Sequence, residues 1–294
     1  MLRVPSGKKS FFVKIEPFLY LLPALFFFGI FTYFPFLKTI YKSFFLTNSM
    51  GVIREFVGFE NYKSVLSNDV FIKAIFNTLK FVLSSIPLAI GIALVLAVVA
   101  NKKTRTSSIY ETLFALTMAM SMSVTAMIFQ LMYNPSVGIL NHILGTEINW
   151  LNDARVALFA LAFINVWLNI GYNFIFLLAS IRGISTDIIE SATIDGAGSI
   201  RKTVSIILPM VSPMVFFLII SALAKNMMMS GLVLVLTQGG PQDSTQTMIS
   251  FMYQQAVNNF NYNDAFASAI VSFIITFGMI ILGFIYEKKG VFYS

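Results

Sequence analysis

Asn165, Asn169 and Asn173 recur at every fourth position with Tyr172 beside them, so a helix through this segment gathers three carboxamides and a phenol on one face. Carboxamides donate and accept hydrogen bonds at once. With an aromatic plane for C–H groups, they suit a molecule rich in hydroxyls. The plainer account is hydrogen bonding between helices, and both readings stay open. Lys225 and Asn226 add a cation and another amide inside an otherwise apolar stretch. A bare lysine there is costly, so it calls for a polar cavity, an acidic partner or a route to the interface. Ser121, Ser123, Thr125 and Gln130 form a further polar group in an apolar run, but Ser and Thr can bond their own helix. Catalytic chemistry finds no support. The chain has no Cys and one His, His142, which excludes disulfides, thiolate metal sites and multi-histidine centres. H-E-x-x-H, G-x-S-x-G and paired intramembrane aspartates are missing too, so neither a catalytic residue nor a metal site is expected. His142 reads as a surface residue, and Met227, Met228 and Met229 as flexible packing.

The elements that must position these groups follow from composition. Of the 294 residues, 57% are apolar and 11% charged, where a soluble domain carries about 25% charged residues. Mean hydropathy is +0.81. So few charges cannot cover a water-soluble surface, which excludes a soluble enzyme. The net charge of +7 would suggest nucleic acid in a soluble domain, but in a membrane protein the location of the charges matters more. The expected surroundings are lipid, with no nucleic acid. Six apolar runs can cross about 30 Å of hydrocarbon: residues 17–37, 81–100, 112–135, 156–181, 206–236 and 265–286. The fifth is too long for one straight span and is expected to bend at Pro209 or Pro213. The fold class is all-α, a polytopic membrane protein, and residues 1–294 read as one membrane domain.

An even number of spans puts both termini on one side. Twelve of the twenty basic residues lie in the N-terminal tail, the second and fourth connections and the C-terminus. The positive-inside rule then makes both termini cytoplasmic. The first run is too long for a signal h-region, lacks a small-residue cleavage site and reads as a retained span. Residues 47–70 are polar with aromatics, suited to an external cap.

The fourth connection, residues 182–205, has the most specific pattern. A Ser/Thr/Asp start signal at 185–187 and a stop at Gly196 predict a short helix, with a second helix starting near Ser199. Ile184, Ile188 and Ala192 form an apolar stripe, and Ser191, Ala192, Ala197 and Gly198 are small enough to let another protein approach closely. Such a helix suits insertion into a partner's groove. Glu190 alone could be a solvated charge near a helix start.

The sequence here resembles the permease subunits of binding-protein-dependent ABC importers, in their sugar-type branch. That family's cytoplasmic loop carries E-A-A, three residues, G, nine residues, then I-x-L-P. Glu190, Ala192, Gly196, Ile206, Leu208 and Pro209 match with the full spacing, and Asp195-Gly196-Ala197 matches a common D-G-A extension. Ser191 stands where the family usually has Ala. Leu236-Thr237-Gln238-Gly239-Gly240-Pro241 resembles the branch's L-T-x-G-G-P, and Gly58-Phe59-Glu60-Asn61-Tyr62 with Asn77-Thr78-Leu79 its external segment.

The resemblance implies a non-enzymatic pore subunit in a bacterial inner membrane. It would pair with a second permease, most simply as a heterodimer, with two cytoplasmic ATPases and an external solute-binding protein. Glu190, Ser191, Ala192, Asp195, Gly196 and Ala197 would couple to the ATPases. Gly239, Gly240 and Pro241, first of all a turn, would serve an outer gate or binding-protein contact. ATP and Mg would reside on the ATPases, since this chain carries no P-loop and holds no cofactor of its own. The cargo expected is a sugar or oligosaccharide. Glycerol phosphate is the alternative, kept open by Lys225, and a channel or secondary transporter leaves the matched loop unexplained.

Overall fold

The computed structural model describes residues 9–101 and 107–290. Arg3, Lys8, Lys102, Lys103 and Arg105, which bear on the topology, lie outside them. Within the described residues four helices are long and apolar enough to cross a membrane, and two bent pairs make six if each pair is one span. Lipid offers the backbone no hydrogen-bond partner, so a spanning segment satisfies its own N–H and C=O groups, as a helix does.

The first run forms α1 (Lys9–Phe28), which continues through a π-turn at Gly29–Tyr33 into α2 (Phe34–Ser43). None of its most apolar stretch is buried within the chain. Beyond it, β1 (Phe45–Thr47) and β2 (Ile53–Phe56) pair antiparallel, and α3 (Glu60–Leu66) completes a small cap. Lys42 Nζ donates to the Gly51 carbonyl at 2.6 Å and closes the hairpin. Asn61 donates to the carbonyls of Ser43 and Phe45, both at 2.9 Å. The Thr47 N–H and hydroxyl both donate to Asn263 Oδ1, at 2.7 and 2.9 Å. The cap is thereby fixed to the start of the last span.

α4 (Asp69–Ala100) is capped by Asn68, whose side chain accepts from the N–H groups of Val70 and Phe71. The third run, expected as one span over 112–135, is broken instead. α5 (Ser107–Ala115) passes through a tight turn at Leu116–Ala119 and gives way to α6 (Met122–Met132) at 105°. The physical reason lies in the polar residues at the break. Met120 is extended, and Ser121 caps α6 by accepting from the Val124 N–H at 3.3 Å. Beyond it, α7 (Ile139–Leu144) carries exposed His142. Asp153 lies in the same connection. The Arg155 guanidinium and backbone N–H both donate to its carboxylate, which is held down to about 2.

α8 (Ala157–Arg182) is the central helix. Ala89, Ala93 and Ala97 on α4 are buried and small, so the two backbones approach closely along their length. Gly171 lets the broken third span touch α8. The Thr117 hydroxyl accepts from the Gly171 N–H at 3.1 Å, and a Cβ on Gly171 would lie 2.5 Å from Thr117 Oγ1 and 2.7 Å from the Phe114 carbonyl.

After α9 (Thr186–Ile194) and α10 (Ser199–Lys202), a π-turn at Thr203–Ile207 leads through α11 (Leu208–Met210) to α12 (Ser212–Met227). The chain bends by 64° at Val211, between Pro209 and Pro213. The fifth span, expected to reach 236, ends at Met227, and a separate helix α13 (Gly231–Leu236) follows. This correction also has a packing cause. Gly231 abuts α6 so tightly that a Cβ there would lie 2.0 Å from Met122 Cε. α14 (Met248–Tyr253), closed at its start by a Thr247/Ser250 capping box, and a π-turn at Gln254–Asn258 precede α15 (Tyr262–Gly290).

Gly171→Leu is expected to destabilise the folded chain by about 1–3 kcal/mol through overpacking. Gly278→Leu, where no atom lies within 4 Å, should change little. Thermal unfolding of the two purified variants in detergent checks the difference, and equal melting temperatures would show that the α5–α8 approach is not close-packed.

Candidate functional site

α4, α8 and α12 converge around a cavity of about 270 Å³, and Asn165, Asn169, Tyr172, Asn173, Lys225 and Asn226 all line it. The four-residue spacing on α8 places its three amides on the face turned to α12. Asn165 and Asn173 are buried, whereas Asn169 is only partly so. Apolar Ile86, Ile90 and Leu218 close the other walls, and Tyr172 packs on Phe176 with ring centroids 4.7 Å apart. Trp167, on the same helix, turns away and meets Phe129 at 5.8 Å.

The polar groups form a directed chain. Lys225 Nζ donates to Asn169 Oδ1 at 3.2 Å. Asn169 Nδ2 donates to the Asn165 backbone carbonyl at 2.6 Å and to Asn165 Oδ1 at 3.1 Å. Asn165 Nδ2 donates to Asn226 Oδ1, and Asn226 Nδ2 to Ser85 Oγ, each at 3.4 Å. An ammonium can only donate, so it fixes which end of Asn169 faces it, and each amide then orients the next.

A second, wider cavity of about 590 Å³ shares Asn165, Asn169, Tyr172, Lys225 and Asn226 with the first. Its other wall is methionine: Met118, Met120 and Met122 from the break in the third span, and Met228 and Met229 from the break after α12. The run 118–122 alternates Met with small residues, and that pattern was the available signal for this wall. Ser85 was also missed. It sits on α4, about two helical turns beyond Asn77 and Thr78, and only the crossing with α12 shows its partner.

The segment that follows α8 is separate. Ser185 caps α9 by accepting from the Asp187 N–H at 3.3 Å. At the other end the Gly196 N–H donates to the Thr193 carbonyl and the Ala197 N–H to the Ala192 carbonyl, with Gly196 at φ +75. This is the Schellman arrangement, which needs the left-handed region at the residue after the cap. The buried side of α9 comprises Ala192 and the partly buried Ile189, while Ile188 is exposed. Of the stripe expected through Ile184, Ile188 and Ala192, the structure buries Ile184 and Ala192 at least in part, while Ile189 takes the place of Ile188. Glu190, Ser191, Asp195 and Gly196 are exposed, and the acid of the first turn is Asp187, so the dipole account does not apply to Glu190. Immediately before α9, Arg182 bridges three elements. Its guanidinium donates to both Glu111 carboxylate oxygens of α5, at 2.6 and 3.3 Å, and to the Ala100 carbonyl that ends α4, at 3.3 Å.

Gly239, Gly240 and Pro241 lie in a third place, at a turn folded inward between α13 and α14. Gly239 has φ +93, and a Cβ on it would lie 1.7 Å from Gln246 Oε1, so glycine is required there for both conformation and space. The Thr245 hydroxyl donates to the Gly240 carbonyl at 2.7 Å, and Asn77 on α4 donates to the carbonyls of Asp243 and Gln246 at 2.8 and 3.1 Å.

Compared with known proteins, residues 71–288 match the family described as "Binding-protein-dependent transport system inner membrane component". The sn-glycerol-3-phosphate transport system permease protein UgpA of Pectobacterium atrosepticum is 29% identical over 293 residues, covering 98% of this chain and 99% of that protein. The "Probable ABC transporter permease protein YurN" of Bacillus subtilis is 30% identical over 285 residues, covering 94% and 97%. Among solved structures, a chain in the crystal structure of a bacterial alginate ABC transporter, in complex with an alginate pentasaccharide-bound periplasmic protein, aligns with a TM-score of 0.82. It is 20% identical over 95% of this chain and 97% of that one, a likeness of fold.

The Schellman ending gives a local test. Gly196→Val forces a β-branched residue into the left-handed region at a cost of roughly 1–2 kcal/mol, whereas Gly196→Asn tolerates it. Hydrogen exchange over residues 186–197 should accelerate in the Val variant and stay near the native rate in the Asn variant. Identical exchange in all three chains would show that Gly196 does not set the end of α9.

Proposed function

The chain belongs to the binding-protein-dependent transport system inner membrane components, and from that premise we propose that it forms part of the pore of an ATP-driven importer for a sugar or oligosaccharide. As a transport component it is not the catalytic subunit. ATP is hydrolysed by separate cytoplasmic ATPases that receive α9, a second permease subunit completes the pore, and an external solute-binding protein delivers the cargo. Both termini are cytoplasmic.

The observation that carries the cargo reading is the convergence of three amides, a phenol and the Lys225–Asn226 pair on one cavity between α4, α8 and α12. Buried polar groups are costly in a membrane and more often serve transport than packing. Here they supply donors and acceptors of the kind hydroxyls need. Glycerol phosphate is the second reading, favoured by Lys225 in the cavity wall and by relatives named as sn-glycerol-3-phosphate permeases.

For coupling, the exposed face of α9 offers Glu190, Ser191 and Asp195, with Ala197 beside them and Ala192 on the buried side keeping the helix close to the chain, and the Arg182 ion pair joins its root to α4 and α5. Motion of α9 under an ATPase is thereby passed to the helices that flank the cavity. Gly239, Gly240 and Pro241 belong to the outer gate, where the turn braced by Asn77 meets the delivering protein.

Three measurements test this. Asn169→Leu and Tyr172→Ala should each lower uptake by the assembled transporter at least about tenfold, as expected when a polar group of a binding site loses its partner, while the complex still assembles. Unchanged kinetics in both would return these residues to helix packing. Glu190→Lys should abolish the stimulation of ATP hydrolysis by loaded binding protein, and normal stimulation would remove α9 from coupling. Reporter fusions at residue 294 and near residue 145 should report opposite sides of the membrane.

A further inference from the structure

We infer that the cargo carries an anionic group, a carboxylate or a phosphate, which docks on the Lys225 ammonium at the wall shared by the two cavities; this deepens, and rests on, the reading of that cavity as the cargo site.

The electrostatics of the wall lead there. Lys225 lines both cavities, and no Asp or Glu lines either. The ion pairs among the described residues join Arg155 to Asp153 and Arg182 to Glu111, and neither includes Lys225. Its ammonium donates one hydrogen bond, to Asn169 Oδ1, and an ammonium has three to give. The neighbouring amides cannot replace a counter-ion. Their orientation is already spent on the cation, since each turns its carbonyl towards the lysine end of the chain and its Nδ2 towards Ser85. Such aligned dipoles lower the cost of holding the charge, and the ammonium, exposed at the wall, keeps its net positive charge turned to the cavities.

With no carboxylate among the described residues of either lining, the group that best complements this wall is an acceptor that bears negative charge. Charge-assisted hydrogen bonds from an ammonium to carboxylate or phosphate are shorter and stronger than those to a neutral hydroxyl. The rest of the cavity suits the remainder of such a molecule. Asn173 and Tyr172 lie along α8 on the cytoplasmic side of Asn169, roughly 6 Å further down the helix at 1.5 Å per residue for Asn173. An anionic end at Lys225 thus leaves a hydroxylated skeleton beside Asn173 and the Tyr172 ring, in the narrower of the two cavities.

The test uses the complete transporter with its binding protein in proteoliposomes and two matched pairs of probes: galacturonate against galactose, and glycerol 3-phosphate against glycerol. The acidic member of one pair should be imported at least about tenfold faster than its neutral partner, and which pair responds separates a carboxylate source from a phosphate source. Lys225→Gln should collapse that preference and Lys225→Arg should keep it, because the guanidinium retains the charge. Import favouring the neutral members, an acidic preference unchanged in Lys225→Gln, or no import of any of the four probes would overturn the anionic assignment. Failure of the cavity reading has a different signature: Asn169→Leu and Tyr172→Ala would then leave the uptake of every transported probe unaltered.

Discussion

An ammonium has hydrogens to give and no lone pair to receive, and the interior of this molecule is arranged around that asymmetry. Lys225 fixes the orientation of Asn169, Asn169 that of Asn165, Asn165 that of Asn226, and the sequence ends on Ser85. The chain crosses from α12 to α8, back to α12 and on to α4, so three helices are held in register by one set of directed bonds. In lipid, with no hydrophobic force between helices, close packing and a few such bonds hold spanning segments together. The alanine contacts between α4 and α8 supply the packing, and the amide chain supplies the register.

The two helix breaks belong to the same construction. Ser121 and Ser230 stand at interruptions in neighbouring segments, and Met122 interlocks with Gly231 between them. An unbroken third or fifth span would fill the space that the wider cavity occupies. Its wall is instead made of thioether side chains, which are flexible and adapt to irregular shapes. The polar groups on one side of the cavity are rigidly oriented, while the apolar groups on the other can rearrange.

Much of this was legible in the residues. The four-residue spacing of Asn165, Asn169 and Asn173 specified a common face, and Lys225 with Asn226 marked the facing helix. The cap and stop of α9 were written in Ser185 and Gly196, because local backbone chemistry depends on neighbours in sequence. Where reading failed, the deciding contact came from far along the chain. The run at 112–135 is apolar enough to span unbroken, and the break that the Ser121 cap makes in it is packed by Thr117 against Gly171 and by Met122 against Gly231. Ser85 carries no signal of its own until α12 crosses it. Ile188 and Ile189 differ by one step of helix phase, which the packing of α9 against its own chain decides and sequence periodicity alone does not.

The cap adds a dimension of time. Thr47, in its hairpin, donates two hydrogen bonds to Asn263, 216 residues later in the chain. Chains are synthesised at about 5–20 residues per second, so Asn263 is made roughly 10–40 s after Thr47. Throughout that interval the hairpin lacks the acceptor that fastens it. The helix that seals this hairpin is made after the other described helices, so this end of the molecule closes late, by a contact between the two ends of the described chain.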